Sequence, residues 1–308
     1  MRTLIVGAGA VGGYFGSRLV HSGQDVTFLV RPRRAELLRR RGLRVTGLGE
    51  DTVVEPRLVT APELTGDYDA ILLAVKATGF EQALADVAPA VGDDTAILPL
   101  LNGMAHLDRL NERFGPARVL GGVAKVMTTV DDEGDIVRLG PLEHILLGEQ
   151  DGRPSSRVDD IHATLTKAGI PSDTSTAVLG AMWSKWVFIS ALGAVTTLLD
   201  GTVGEANSVP GGTAVAAAIT REAAAIAERS GFGLSEAALT AVLSTTTDPD
   251  SPVTPSLYRD LTSGLPTEVE HLFGDLIARA RDLGVDTPLL DAATARLRVH
   301  ERRLAAGS

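Results

Sequence analysis

The chain has 308 residues, which predicts two domains at roughly 100–200 residues each. Hydrophobic residues make up 44% and charged residues 22%, a globular balance that excludes wholesale disorder. The net charge of −10 argues against a general nucleic-acid binder, and the lack of cysteine excludes a disulfide scaffold, thiolate zinc sites and a cysteine nucleophile.

Met1–Gly7 lacks the apolar core length and the cleavage site of a signal peptide, and a cytoplasmic protein is expected. Thr3–Val6 reads as a strand, followed by glycines and a helix from Val11 to Ser22 that Gly23 stops. Asp25–Val30 is the next strand, Arg33–Arg41 a helix and Leu43–Thr46 a strand. Ala70–Val75, Thr95–Leu100, Val119–Val130 and Glu143–Leu147 are further strands, with a turn at Asp132-Glu133-Gly134. Strands alternating with helices predict an α/β domain, a Rossmann-type doubly wound parallel sheet.

Ser155–Lys167 reads as a helix ended by Gly169, and after Pro171 the composition turns Ala-, Leu- and Thr-rich with long helical patterns. Thr174–Leu199 carries one charge, Lys185. It is long enough to span a membrane, but no second such stretch exists, so a buried helix of a protein without a membrane partner is expected. Gly201–Gly212 and Thr245–Pro255 read as loops. Thr267-Glu268-Val269-Glu270 reads as a capping box, with Val269, Leu272, Phe273, Leu276, Ile277 and Ala280 on one helix face. Thr287 as N-cap and Pro288 in the first turn start the last helix. The expected domains are 1–172, α/β, and 173–308, all-helical.

Gly7-Ala8-Gly9-Ala10-Val11-Gly12 is a GxGxxG that follows a strand and opens a helix, the context in which the motif binds a dinucleotide. The first glycine permits the turn, the second lets a pyrophosphate approach, and the third lets helix and strand pack closely. The bland alternative is a glycine-rich structural turn. An NAD enzyme usually carries an acid at the end of the second strand; here Arg31 stands there, and a guanidinium suits a 2′-phosphate, so NADP(H) is expected. The structural alternative for Arg31 is a solvated basic start to a helix, which could hold for Arg33 or Arg34.

Ligands of doubly wound folds bind beyond the carboxyl ends of the strands. Lys76 ends one apolar run and Asn102-Gly103 another. Lys76 could reach a phosphate or carboxylate, and Asn102 the nicotinamide ribose or a substrate; a snorkelling lysine and an Asn-Gly turn are the structural alternatives. Lys185 lies between Trp183 and Trp186, in an apolar run where an ammonium must escape to water or meet a partner. In a crevice it could protonate a reacting oxygen. The six histidines are scattered, so no metal is expected, and no GxSxG occurs.

Together these residues resemble the ketopantoate reductases (2-dehydropantoate 2-reductases), over nearly the whole chain. The resemblance rests on Gly7–Gly12, Arg31, Val75-Lys76-Ala77, Asn102-Gly103-Met104, Trp183-Ser184-Lys185, Pro255–Asp260 and Gly264–Glu268. It implies NADP(H) as cofactor, bound by Gly7, Ala8, Gly9, Ala10, Val11, Gly12, Arg31, Lys76, Asn102 and Glu268. It implies Lys185 as proton donor, with Glu268 beside it, and Asn102, Lys185 and Ser256 on the substrate, a small 2-oxo acid reduced to the 2-hydroxy acid. A monomer or homodimer is expected. Family asparagines are replaced by Ile189 and Gly193, and a third is missing near Val203, which leaves the substrate open. The alternatives are a related dehydrogenase or imine reductase and a non-catalytic NADP sensor; the sensor would have lost the proton donor.

Overall fold

The computed structural model describes residues 1–307. Its strands are β1 (Arg2–Val6), β2 (Asp25–Leu29), β3 (Leu43–Gly47), β4 (Glu50–Val54), β5 (Arg57–Val59), β6 (Ala70–Leu73), β7 (Ala96–Pro99), β8 (Leu120–Val130), β9 (Ile136–Glu149) and β10 (Ser172–Thr174). The helices of the same region are α1 (Ala10–His21), α2 (Pro32–Arg41), α3 (Phe80–Val87), α4 (Ala105–Phe114) and α5 (Ser156–Lys167). The C-terminal helices are α6 (Val178–Leu199), α7 (Val203–Ser208), α8 (Gly212–Arg229), α9 (Glu236–Thr246), α10 (Ser256–Thr262), α11 (Asp275–Asp282) and α12 (Pro288–Gly307), with a π-helical turn at Glu270–Gly274 before α11.

The first sheet runs β5-β2-β1-β6-β7, every pair parallel. β6 and β7 are buried at all four of their positions, and β1 and β2 at all but their first, as expected of strands covered on both faces. The register sets Val6 against Leu29 and Leu73, and Leu73 against Pro99, so these strands end level. Gly7, Val30-Arg31 and Val75-Lys76 therefore leave the sheet along one edge. This is the Rossmann-like order, and it grows from apolar runs that the sequence alone shows.

A second sheet, β10-β9-β3-β4 with β8 on β9, contains the long β8–β9 hairpin. At its turn Asp131 Oδ1 accepts the backbone N–H groups of Glu133 and Asp135, and Arg41 and Arg44 stand 3.2 and 3.6 Å from Asp135 Oδ2. Asp135 is thus paired with two guanidinium groups, and Asp131 is held by backbone N–H groups. β4, β5 and β10 are too short or too polar to carry a strand pattern in the sequence.

The chain divides into two compact units. One is Met1–Leu101 with His106–Val178; the other is Leu179–Ser308 together with the segment Asn102–Ala105. The composition change lies near residue 172, but β10 pairs with β9 and stays with the first unit, so the division falls at Val178–Leu179.

The second unit is helical. Trp186, Val187, Ala191, Ala194 and Val195 of α6 are fully buried, and 61% of its most apolar window lies inside the protein. It is the one helix among the described residues with the length and composition to cross a membrane, and this burial is that of a core helix.

Two local expectations are corrected. The stretch Gly201–Gly212 is not all loop: Thr202 and Glu205 form a reciprocal capping box that starts α7. Thr267 and Glu270 do not cap each other. Thr267 gives both its N–H and its hydroxyl to Glu301 Oε1, at 2.6 Å each, and Glu270 takes two hydrogen bonds from Arg298, at 2.6 and 2.7 Å. Tertiary partners on α12 outcompete the local box.

Candidate functional site

The glycine loop is tightly packed at two of its glycines and open at the third. Gly7 has φ +95°, and a Cβ there would press on Val75 at 3.0 Å and the Ala74 carbonyl at 3.1 Å. A Cβ at Gly12 would run into the Gly7 carbonyl oxygen and lie 2.9 Å from the Ala74 Cβ. A Cβ at Gly9 would meet nothing within 4 Å. Two of the glycines are thus held by packing, and the middle one faces open space, where a pyrophosphate would approach. No side chain caps α1 and its first turn carries no acid, so its N–H groups and positive end are left for an anion.

The loop is held from behind. Arg34 Nε donates to the Ala8 carbonyl at 3.1 Å and Nη1 to the Gly134 carbonyl at 2.7 Å, while Thr128 Oγ1 donates to the Ala10 carbonyl at 3.1 Å. Arg34 is therefore a half-buried clamp, not the solvated residue the helix start suggests. Burial lowers its pKa from the ordinary value, against the opposing pull of Asp135 and Asp131. The clamp was hidden because its partners lie 26 and 100 residues away.

Arg31 is exposed at the N-cap of α2, and its Nη2 lies 2.9 Å from where a Gly79 Cβ would stand. Its guanidinium therefore reaches over the turn that follows β6. Lys76, also exposed, opens that turn, its carbonyl accepting from the Gly79 N–H at 2.9 Å. Gly7–Gly12, Arg31 and Lys76 thus border one edge of the first sheet.

Lys185, Glu268, Ser256 and Asn102 all belong to the helical unit, Asn102 through the segment 102–105. Lys185 is half-buried on α6, flanked by Trp183 and Trp186, which are 2% and 0% exposed. Trp186 Nε1 donates to the Leu272 carbonyl at 3.0 Å, within the π-turn. Glu268, half-buried, accepts the Leu272 N–H on its backbone carbonyl at 3.0 Å. The His271 ring stands 2.6 Å from the Asn102 carbonyl. These bonds bring α6 next to Lys185, the Glu268–Leu272 segment and Asn102 into one cluster. Ser256 is exposed at the first position of α10.

The two positions that replace family asparagines differ in their surroundings. Ile189 is half-buried, but Gly193 is buried, and a Cβ on it would lie 3.0 Å from Leu257 and 3.2 Å from Phe273. The space an asparagine would take at 193 is filled by these two side chains. Val203 is fully buried at the start of α7. His271, Trp186 and Arg34 had no signal in the sequence beyond their residue type.

Two family models match the chain. Residues 3–152 match the model of ketopantoate reductase PanE/ApbA, and residues 177–301 that of its C-terminal domain. The chain is 32% identical over 301 residues to an uncharacterized oxidoreductase, YkpB, of Bacillus subtilis (strain 168), covering 98% of this chain and 99% of that one. It superposes with TM-score 0.88 and 27% identity on a PanE/ApbA family ketopantoate reductase from Ralstonia eutropha JMP134, over 99% and 100% of the two chains. A D-mandelate dehydrogenase whose structure holds NADH and anilino(oxo)acetate shares the fold, with TM-score 0.89 at 23% identity, over 99% and 100% of the two chains. The chain belongs to the ketopantoate reductase PanE/ApbA family of oxidoreductases.

Proposed function

We propose that the protein reduces a small 2-oxo acid to its 2-hydroxy acid with NADPH, Lys185 giving the proton. The observation that carries this reading is the cluster that holds the Lys185 segment, Glu268 and Asn102 together, in a chain whose glycine loop leaves Gly9 open to a pyrophosphate.

The reduced nicotinamide, when bound, supplies the hydride. Gly7–Gly12 and the N-terminus of α1 would hold the pyrophosphate, and Arg31 the 2′-phosphate, with Lys76 on the same edge. As the substrate carbonyl carbon gains hydride, its oxygen gains negative charge and takes a proton from the Lys185 ammonium. Lysine is left neutral and regains its proton from water. Glu268, which the resemblance puts beside the lysine, would hold its ammonium in place. Asn102 and Ser256 would bind the carbonyl and carboxylate of the substrate.

The substrate is proposed to differ from ketopantoate in its side chain. Ile189 brings no hydrogen bond, and the site of the second asparagine is packed with Leu257 and Phe273. The experiment is loss of NADPH absorbance with a panel of 2-oxo acids that includes ketopantoate, its analogue without the 4-hydroxyl, and a simple ketone. Turnover of one or more 2-oxo acids, and poor turnover of the ketone, is expected. No turnover of any member would remove the reading.

A further inference from the structure

The bond between His271 and Asn102 belongs to a local device that the reductase reading does not use. The Asn102 carbonyl has no hydrogen to give, so the facing Nε2 of His271 carries the proton and donates it across 2.6 Å. The next residue, Gly103, is buried with φ +77°. A Cβ there would lie 3.2 Å from the His271 carbonyl oxygen and 3.6 Å from its ring. The Asn102-Gly103 turn therefore lies flat against His271, gripped by a hydrogen bond on one residue and by close packing on the other.

His271 in turn is fixed by the π-turn. The Asp275 N–H reaches back to the Glu270 carbonyl, one residue further than in an α-helix. Glu270 is locked by two hydrogen bonds from Arg298, Leu272 gives its carbonyl to Trp186, and Phe273 is fully buried. Glu270, Leu272 and Phe273, on either side of His271, are thus anchored, which limits the freedom of the imidazole. A π-turn costs regular hydrogen bonding and is frequent at functional sites.

We propose that His271 is a positioning residue for the reduction: it sets the Asn102-Gly103 turn, and through it the Asn102 side chain, relative to the Glu268 and Lys185 segments. This rests on the reading that Asn102 touches the substrate or the nicotinamide. In this role His271 acts through the Asn102-Gly103 turn.

The test compares His271→Ala with His271→Gln, whose side-chain amide can still donate to a carbonyl. Four quantities are read: kcat, KM for a 2-oxo acid turned over by the native protein, NADPH affinity, and the Gly103 amide resonance in the ligand-free protein. His271→Ala should lower kcat by about 10²-fold, the scale of a small misplacement of a positioned group, with NADPH affinity kept. Its Gly103 resonance should move. His271→Gln should recover most of the turnover and the native resonance. Native kcat in His271→Ala, an unmoved Gly103 resonance, or no recovery by a folded His271→Gln would each overturn the proposal. Turnover of the native protein and of Lys185→Ala separates this from the reading beneath it: a native protein that reduces no 2-oxo acid ends the reductase reading and the proposal with it, whereas native turnover in Lys185→Ala removes only the proton-donor role of that lysine. If Lys185→Ala is inactive while His271→Ala is fully active, only the positioning role is lost.

Discussion

Arg31 and Arg34 stand three residues apart and do different work. Arg34 is turned inward and bonded to the Ala8 and Gly134 carbonyls, whereas Arg31 is exposed and extends toward the Gly79 turn. Of the two, the proposed 2′-phosphate contact falls to Arg31. Arg31→Ala should weaken NADPH by about 1.5–3 kcal/mol, the range for hydrogen bonds to a charged group, and leave NADH nearly unchanged; titration of both cofactors checks it. An equal loss of both would make Arg31 structural. The proposed substrate selectivity turns on Ile189. A site that reads a hydroxyl discriminates strongly because its own polar groups are left unpaired without it. The Ile189 side chain has none, so ketopantoate should have little advantage in kcat/KM over its analogue without the 4-hydroxyl. Ile189→Asn should raise that ratio. Gly193→Asn is not a fair companion, because Leu257 and Phe273 occupy its space.

The strand-loop-helix unit β1–α1 was legible from residues 3–22 alone, because every part of it is local: an apolar run, three spaced glycines and a helix stop. Its geometry makes a paired prediction. Gly9→Ala meets no atom within 4 Å, so its Tm should stay native while cofactor binding is lost. Gly12→Ala must displace the Gly7 carbonyl, so both Tm and binding should fall. Thermal melts with and without NADPH read both effects, and tight binding by Gly9→Ala would contradict the pyrophosphate assignment. The element before α11 was misread for the opposite reason. Thr267 and Glu270 have the spacing of a capping box, but their partners, Glu301 and Arg298, lie 34 and 28 residues on. The π-turn leaves no mark in the hydrophobic pattern either, since Val269, Leu272, Phe273, Leu276 and Ile277 are buried as a regular helix would bury them.

At the scale of the whole molecule, the parallel sheet and the helical second unit follow from composition and periodicity, while the cluster around Asn102 does not. Its defining bond joins residues 169 apart in the sequence, and no local pattern reports such a meeting. The sequence marked Asn102, Lys185 and Glu268 as polar residues in telling places. It could not show that His271 and Trp186 tie their segments together. On this reading the pyrophosphate and 2′-phosphate contacts belong to the N-terminal unit and proton donation to the helical one, so the two can be separated by substitution. The most direct measurement is the steady-state turnover of Lys185→Ala with NADPH and a 2-oxo acid that the native protein reduces, alongside its NADPH affinity. A fall in kcat of roughly 10²–10⁴, typical of a lost general acid, with NADPH still bound is the predicted result; turnover at the native rate would contradict it.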